Sequence, residues 1–489
     1  MLRIQSVFLL HTLLLFGVIL LTYLIIHEGA KILISQKRAI LEPKGEWDDE
    51  LREFALQSLD QPMEPIQIRE FSQRLRLYGR LLDQYERKHG NFVPMSAAID
   101  GSTLRITTAH KNTSIINPYG EGGSFIWKLE KDLFPWSHRK YSCLLELKQS
   151  FKGKRGMIVS TGSKHFHFTV HLIRHVRYLK FPYPIVVAYS GEGDLKAWER
   201  VFLQKMDVPL INLLDYFVIE DVDQWFTKIF AMLAAPFEEV ILADGDTVFL
   251  QNPVVLFEDP GYMEHGLLLF KDKNLGDTGG IYKTRRDWLK TNLPVPLSSR
   301  IRNGRIYRMK SRDEIESGVV VWSRSKRFLC ALGIAKFNLK HERDMLIFGK
   351  FHGDKETYMF GPELAGESWD SPEYAPGTVG EVKFDNKSGK LEPVGGKMAH
   401  FDRNGRPLWL QASIVVNKSN VEGLHRIHNL TYYRQGKRYE EDDESSHEVV
   451  KITGKMRQDL DRIIELYHAE IANTTSPYDR LNNNTLPSQ

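Results

Sequence analysis

Val240-Ile241-Leu242-Ala243-Asp244-Gly245-Asp246-Thr247-Val248-Phe249 decides how this chain is read. Four apolar residues bounded by turn formers predict a buried strand. Two carboxylates, Asp244 and Asp246, follow at its end with one glycine between them. In open α/β sheets, ligands bind beyond the carboxyl ends of the strands. Two hard oxygen donors one residue apart can share a divalent cation with a diphosphate, because Mg²⁺ and Mn²⁺ prefer oxygen. A plain strand-end turn closed by two Asx contacts is the structural alternative.

Around this stretch the pattern alternates. Met157–Ser160 and Pro184–Tyr189 predict strands, and Phe168, Leu172, Ile173, Val176 and Leu179 line one helical stripe between them. Helical spacing recurs at Leu195–Gln204 and Asp223–Ala235, then Gly318–Trp322 reads as a strand, and Phe328–Leu339 and Asp354–Ala365 as helices. Strands alternating with helices at this pace imply an α/β fold with a mostly parallel central sheet flanked by helices.

The 489 residues carry a net charge of +4, which gives no argument for nucleic-acid binding. Val7–Ile26 is apolar over about 20 residues, the length that crosses a bilayer. It is longer than the core of a cleavable signal peptide, so an uncleaved signal anchor is expected after a six-residue tail. Lys31, Lys37 and Arg38 favour a cytosolic bulk. The sequons at Asn112, Asn386, Asn417, Asn429, Asn473 and Asn483 favour the lumen, and long domains cross largely regardless of flanking charge. The lumenal orientation is the expectation. Residues 27–128 read as stem and lead-in, with helical spacing at Phe71, Leu75, Tyr78 and Leu82. A catalytic domain is expected over 129–430, and a polar extension over 431–489 with an amphipathic helix at Val449–Ala472. Cys143 and Cys330 allow one disulfide or two buried thiols, and no Cys/His spacing suggests a zinc finger.

Several stretches converge on one resemblance. Glu239–Pro253, Glu314–Val321, His352–Tyr358 and His400–Trp409, with Leu133–Trp136 and Gly156–Ser160 at the domain's start, resemble the fungal α-mannosyltransferases of glycosyltransferase family 71. The resemblance spans about Leu129 to Val416, and Phe270–Lys273 through Trp288 looks more like the α-1,3 branch than the α-1,2 branch. It implies a GT-A fold, a single-pass type II Golgi membrane protein, GDP-mannose as donor, Mn²⁺ (or Mg²⁺) as metal, and a glycan acceptor on protein or lipid. Membership of a Golgi glycosyltransferase complex is a further implied partner. A UDP-sugar donor on the same fold, or a catalytically silent glycan-binding or scaffold member, stays open. One departure stands out: the family's motif usually has a larger residue between its aspartates, where this chain has Gly245.

With the resemblance, Asp246 is expected as the direct metal ligand, Asp244 as ligand or ribose contact, and His400 as third ligand. Glu316 faces either the donor sugar or an arginine such as Arg312. Asp354 and Glu356 are both candidates for the group that acts at the anomeric carbon, with Lys355 near the phosphates. Asp354 could equally serve only a helix start. Transfer with retention needs a carboxylate nucleophile or same-face attack, and both remain open. Trp225, Trp288, Trp322, Trp369 and Trp409 could form a sugar platform or simply fill the core.

Overall fold

The computed structural model describes residues 51–89 in part, 117–436 and 449–482, apart from short internal stretches. The expected tail and membrane segment at 1–26, much of the lead-in, and the acidic run at Glu440–Glu444 lie outside the described residues. Among the described residues no helix is long and apolar enough to cross a membrane.

The chain divides into two compact units, Met1–Pro62 and Met63–Gln489. The second contains two six-stranded sheets. The first sheet has the order β3-β2-β1-β4-β7-β6, built from β1 (Gly153–Ser160), β2 (Ile185–Tyr189), β3 (Leu210–Asn212), β4 (Phe237–Asp244), β6 (Leu267–Lys271) and β7 (Ile315–Ser323). Strands β1 to β4 are mutually parallel where they pair, whereas β7 runs antiparallel to both β4 and β6. The sheet is therefore mixed, with β7 alone running against five strands that share one direction, mostly parallel as expected. Every residue of β7 is buried, and a strand buried on both faces carries no pattern that reveals its direction.

The second sheet is antiparallel, with the order β12-β11-β8-β9-β10-β5. It joins β5 (Val248–Phe249), β8 (Gly377–Asp385), β9 (Lys390–Phe401), β10 (Pro407–Leu410), β11 (Tyr432–Arg434) and β12 (Val449–Lys451). The polar β8 and β9 carry too few apolar residues to announce themselves as strands. Strand β5 begins four residues after β4 ends, so the Asp244–Thr247 turn is the hinge between the two sheets.

The helix Ile68–His89 and the C-terminal helix Gly454–Asn482 both belong to this second unit. The helix Ile68–His89 buries Phe71, Leu75, Tyr78 and Leu82. Its Ser72 hydroxyl donates to the Leu364 carbonyl at 2.8 Å, and its Tyr78 hydroxyl to Glu130 at 2.6 Å. This part of the expected stem is thus a wall of the globular body, because its apolar stripe finds a partner there. The C-terminal helix Gly454–Asn482 packs on the helix Phe166–Tyr178, with Tyr467 edge-on to His171 and Arg174 paired to Glu470 at 2.5 Å. The expected extension therefore completes the fold, and β11, β12 and this helix share a core with β8 to β10. Cys143 and Cys330 are both free thiols, buried apart from each other's contacts, and Cys330 Sγ donates to Glu367 at 2.7 Å.

Candidate active site

The C-terminal ends of β1, β2 and β4 share one edge, with Ser160 in register with both Asp244 and Ala188. Beyond that edge lies a cleft of about 770 Å³, lined among others by Thr161, Gly162, Asp194, Trp225, Lys228, Asp244, Asp246 and Lys418. The turn that carries the aspartates is pinned on both sides. Thr247 Oγ1 donates to the Gly318 carbonyl of β7 at 3.1 Å, and Ser413 N donates to the Asp246 carbonyl at 2.6 Å.

Gly245 has a steric reason. A methyl group there would stand 2.4 Å from Thr169 Oγ1 and 3.2 Å from Thr161 Oγ1, and those hydroxyls already bond each other at 2.7 Å. The room that a larger central residue would need is filled by the helix behind the turn. Gly245→Ala is expected to lose about 1–3 kcal/mol of stability through overpacking, and Thr169→Ala in the same chain should recover much of it. Additive losses in a denaturation double-mutant cycle would show that Thr169 is not the obstacle.

The side chains of the pair do not make Asx contacts. Asp244 Oδ1 meets Lys228 Nζ at 3.1 Å, and the same ammonium meets Asp354 Oδ2 at 3.0 Å and Ser317 Oγ at 2.8 Å. Ser317 Oγ in turn donates to Asp354 Oδ1 at 3.1 Å. Burial pushes the Asp244 carboxyl up to about 6 against the pull of Lys228, and the negative charges of Asp246 and Asp354 add to the rise. Burial alone would strip the proton from Lys228, but Asp244 and Asp354 outweigh it and raise its affinity for the proton. Asp246 pairs with Lys418 at the cleft mouth.

A second lysine organises the neighbouring carboxylates. Lys355 Nζ lies 2.7 Å from Glu316 Oε2 and 2.8 Å from Asp272 Oδ2. Glu316 Oε1 accepts from Gly318 N at 3.0 Å. Burial lifts the Glu316 carboxyl to about 7, with Lys355 opposing and Asp272 adding. Arg312, the partner considered from sequence, pairs instead with Asp313. Asp354 does stand just before the helix Thr357–Ala365, but its carboxylate makes no cap there and turns to Lys228 and Ser317.

Glu356 points elsewhere. Its Oε1 accepts from Glu314 N at 2.9 Å, and burial, reinforced by Asp313, holds its carboxyl well above the usual range. The carboxyl thus lies on the Asp313–Glu314 segment, apart from the Lys228 cluster that holds Asp354, and its Oε2 is buried without a hydrogen-bond partner. Glu356→Gln, which keeps the shape and the oxygen that accepts from Glu314 N, should leave activity within about threefold of wild type. A loss of two orders of magnitude in a transfer assay would restore it to the reacting group.

His400 is also displaced from its expected partners. It lies on β9, stacked on Trp409 of β10 with ring centroids 3.9 Å apart. Burial, with Lys355 adding, holds it well below its usual value, and its Nε2 is buried without a hydrogen-bond partner. Among the described residues no three His, Cys, Asp or Glu side chains stand together as a metal-holding group. The set Asp244, Asp246 and His400 is therefore not assembled here. The donor chemistry still fits Mn²⁺ or Mg²⁺: two carboxylates at a cleft wide enough for phosphate and water to complete the shell, with a neutral imidazole on the adjoining sheet.

Of the five tryptophans, Trp288, Trp322, Trp369 and Trp409 are core, while Trp225 is 49% exposed and lines the cleft. Lys228, Ser317, Asp272 and Lys418 were not singled out from sequence. Lys228 did leave a trace there, as the one charge in Phe226-Thr227-Lys228-Ile229-Phe230-Ala231-Met232-Leu233. A buried lysine demands a carboxylate partner.

The paired acids lie beyond the parallel edge of a mixed sheet, where ligands of α/β folds bind, and comparison with known proteins gives the family. Residues 154–402 match the family described as "Mannosyltransferase putative", and the chain belongs to it. The fungal resemblance is borne out by relatives of low identity. "Putative alpha-1,3-mannosyltransferase MNN15" of Candida albicans is 25% identical over 56% of this chain and 43% of its own length. "Alpha-1,3-mannosyltransferase MNT2" of Saccharomyces cerevisiae is 22% identical over 54% of this chain and 53% of its own. The chain thus spans about half the length of the curated relatives it matches. Among solved structures, core-mannan synthase A of Aspergillus fumigatus in its Mn/GDP form covers 45% of this chain and 72% of its own at 11% identity, with a TM-score of 0.30.

Proposed function

We propose that this chain is a metal-dependent, retaining GT-A mannosyltransferase that moves α-mannose from GDP-mannose to a mannose-containing glycan in the Golgi lumen, with α-1,3 linkage. One observation carries the reading: Asp244 and Asp246 flank a cleft at the parallel sheet edge, and Lys228, which also lines it, ties Asp244 to the buried Asp354. Membership of the mannosyltransferase family supports the sugar, and the names of the yeast relatives support the linkage. The apolar run at Val7–Ile26 and the six sequons support a membrane-anchored, lumenal enzyme.

In this reading Asp244 and Asp246 hold the cation and the donor's diphosphate at the strand ends. A cation there neutralises charge that develops on the leaving diphosphate. Lys418 sits on Asp246 and lies within reach of the same phosphates as it yields that carboxylate. Asp354, oriented by Lys228 and Ser317, is the carboxylate poised to stabilise the anomeric centre, and Glu316 orients sugar hydroxyls from β7. The half-exposed Trp225 offers its face to the acceptor sugar.

The test is transfer by the purified protein to mannobiose, with GDP-mannose, UDP-glucose, UDP-galactose or UDP-N-acetylglucosamine, in Mn²⁺ or in EDTA. Mannose transfer lost in EDTA is the expected result. Transfer from a UDP-sugar alone would replace the donor. A folded protein silent with all four, and binding no nucleotide, would turn the reading to a scaffold.

A further inference from the structure

We propose that Asp194 reads the donor's base and selects guanine; this rests on the guanosine-diphosphate-sugar reading above. The argument begins with strand spacing. Strands β4, β1 and β2 are adjacent, parallel and in register at their ends. Neighbouring strands lie about 4.8 Å apart, so the end of β2 stands roughly 10 Å from the Asp244 end of β4. That is comparable to the span of a nucleoside from its diphosphate to the far edge of its base. A diphosphate at Asp244 and Asp246 therefore lays the ribose across β1 and the base over the loop that follows β2.

That loop places one carboxylate in the cleft, Asp194. It is held rather than loose. Asp194 Oδ2 accepts from Ser190 N at 2.8 Å, and Asp194 N donates to the Gly191 carbonyl at 3.2 Å. The Asp194 carbonyl accepts from Ser163 N at 2.7 Å. Gly191, at φ +85°, donates to Asn212 Oδ1 at 2.9 Å and fastens the loop to β3. The remaining oxygen, Oδ1, lies against Gly162, where a methyl group would come within 2.1 Å of it. The cleft floor is thus kept bare beside this acid.

Charge separates Asp194 from the other acids of the cleft. Asp244 and Asp246 each carry a lysine; among the described residues no Lys, Arg or His forms an ion pair with Asp194. Burial and the charge of Glu199 raise the Asp194 carboxyl from its usual range against the Ser190 amide, and in its ionised form it only accepts hydrogen bonds. Guanine presents two adjacent donors on one edge, its ring N1–H and its 2-amino group, and suits such an acceptor with both oxygens. Uracil presents a single N–H between two carbonyls, which a carboxylate repels.

The test is calorimetric titration of the whole protein, with Mn²⁺ present, using GDP, IDP, XDP and UDP. Wild type should bind GDP about tenfold tighter than IDP, which lacks the 2-amino group, and tighter still than XDP or UDP. Asp194→Asn should weaken GDP about 10- to 100-fold and improve XDP, whose 2-carbonyl accepts from the new amide. Unchanged GDP affinity in the variant would overturn the assignment. So would equal binding of GDP and IDP by wild type, a measurement that stands even where the variant fails to fold. Wild type preferring UDP, or binding no nucleoside diphosphate, would sink the donor reading itself and Asp194's role with it.

Discussion

Lys228→Met is expected to abolish transfer, by at least about a thousandfold, and to lower stability by about 3–5 kcal/mol. The ammonium is buried and lies within 3.1 Å of carboxylates of both Asp244 and Asp354. Methionine keeps the stem's length and packing but leaves two acids facing each other in a poorly solvated floor. Breaking a buried ion pair on one side strands the other charge, which costs far more than the pair contributes. Asp244, which burial already pushes up to about 6, should then take up a proton more readily. A proton on Asp244 removes an oxygen donor from the cleft, so activity and stability fall together. Turnover and a denaturant midpoint on the same preparation check this. Retention of more than a tenth of wild-type activity would show that the lysine serves packing alone.

Asp246→Asn should separate those two effects. Its ion pair with Lys418 stands at the cleft mouth, with the lysine side chain 31% exposed. Partly exposed pairs contribute at most about 1 kcal/mol, so the folding midpoint should scarcely move. Transfer should nevertheless fall by about three orders of magnitude, because an amide oxygen binds a divalent cation far less well than a carboxylate. The informative comparison is nucleotide binding with and without Mn²⁺. Wild type should gain affinity with the cation, and the variant should not. An unaltered Mn²⁺ enhancement would remove Asp246 from the metal site.

The contrast between these residues shows what a single sequence reveals. Asp244 and Asp246 were legible because a buried strand and a turn are local patterns, and both lie where that pattern put them. The helices at Phe166–Tyr178, Ala197–Lys205 and Arg324–Asn338 were legible for the same reason. Partners were not legible. Lys228 and Asp354 are distant in sequence and meet through tertiary packing, where Lys228 also bonds Ser317 of β7, a contact that local periodicity does not show. Glu356 and Asp354 look interchangeable two residues apart, yet the turn before the helix sends one to Lys228 and the other to the Glu314 amide. Gly245 read as an anomaly until Thr169 was seen to occupy its side-chain volume. The second sheet escaped because its polar central strands, β8 and β9, borrow their stability from neighbours that periodicity does not name.

The lysines described above have a consequence for how the protein rests between turnovers. Asp244, Asp246, Asp272, Glu316 and Asp354 share three ammonium groups, Lys228, Lys355 and Lys418. Formal charge is therefore short by two, the complement of one divalent ion. Because each acid already touches an ammonium, withdrawing such an ion would leave two formal charges spread over a paired scaffold rather than a ring of bare, mutually repelling acids. Such a protein is dormant without its ion yet structurally indifferent to losing it, unlike domains whose folding is driven by metal binding. Chelation should act as a reversible off-state: EDTA silences transfer, the thermal midpoint falls only by the mass-action share of the lost ion, and added Mn²⁺ restores the full rate without refolding.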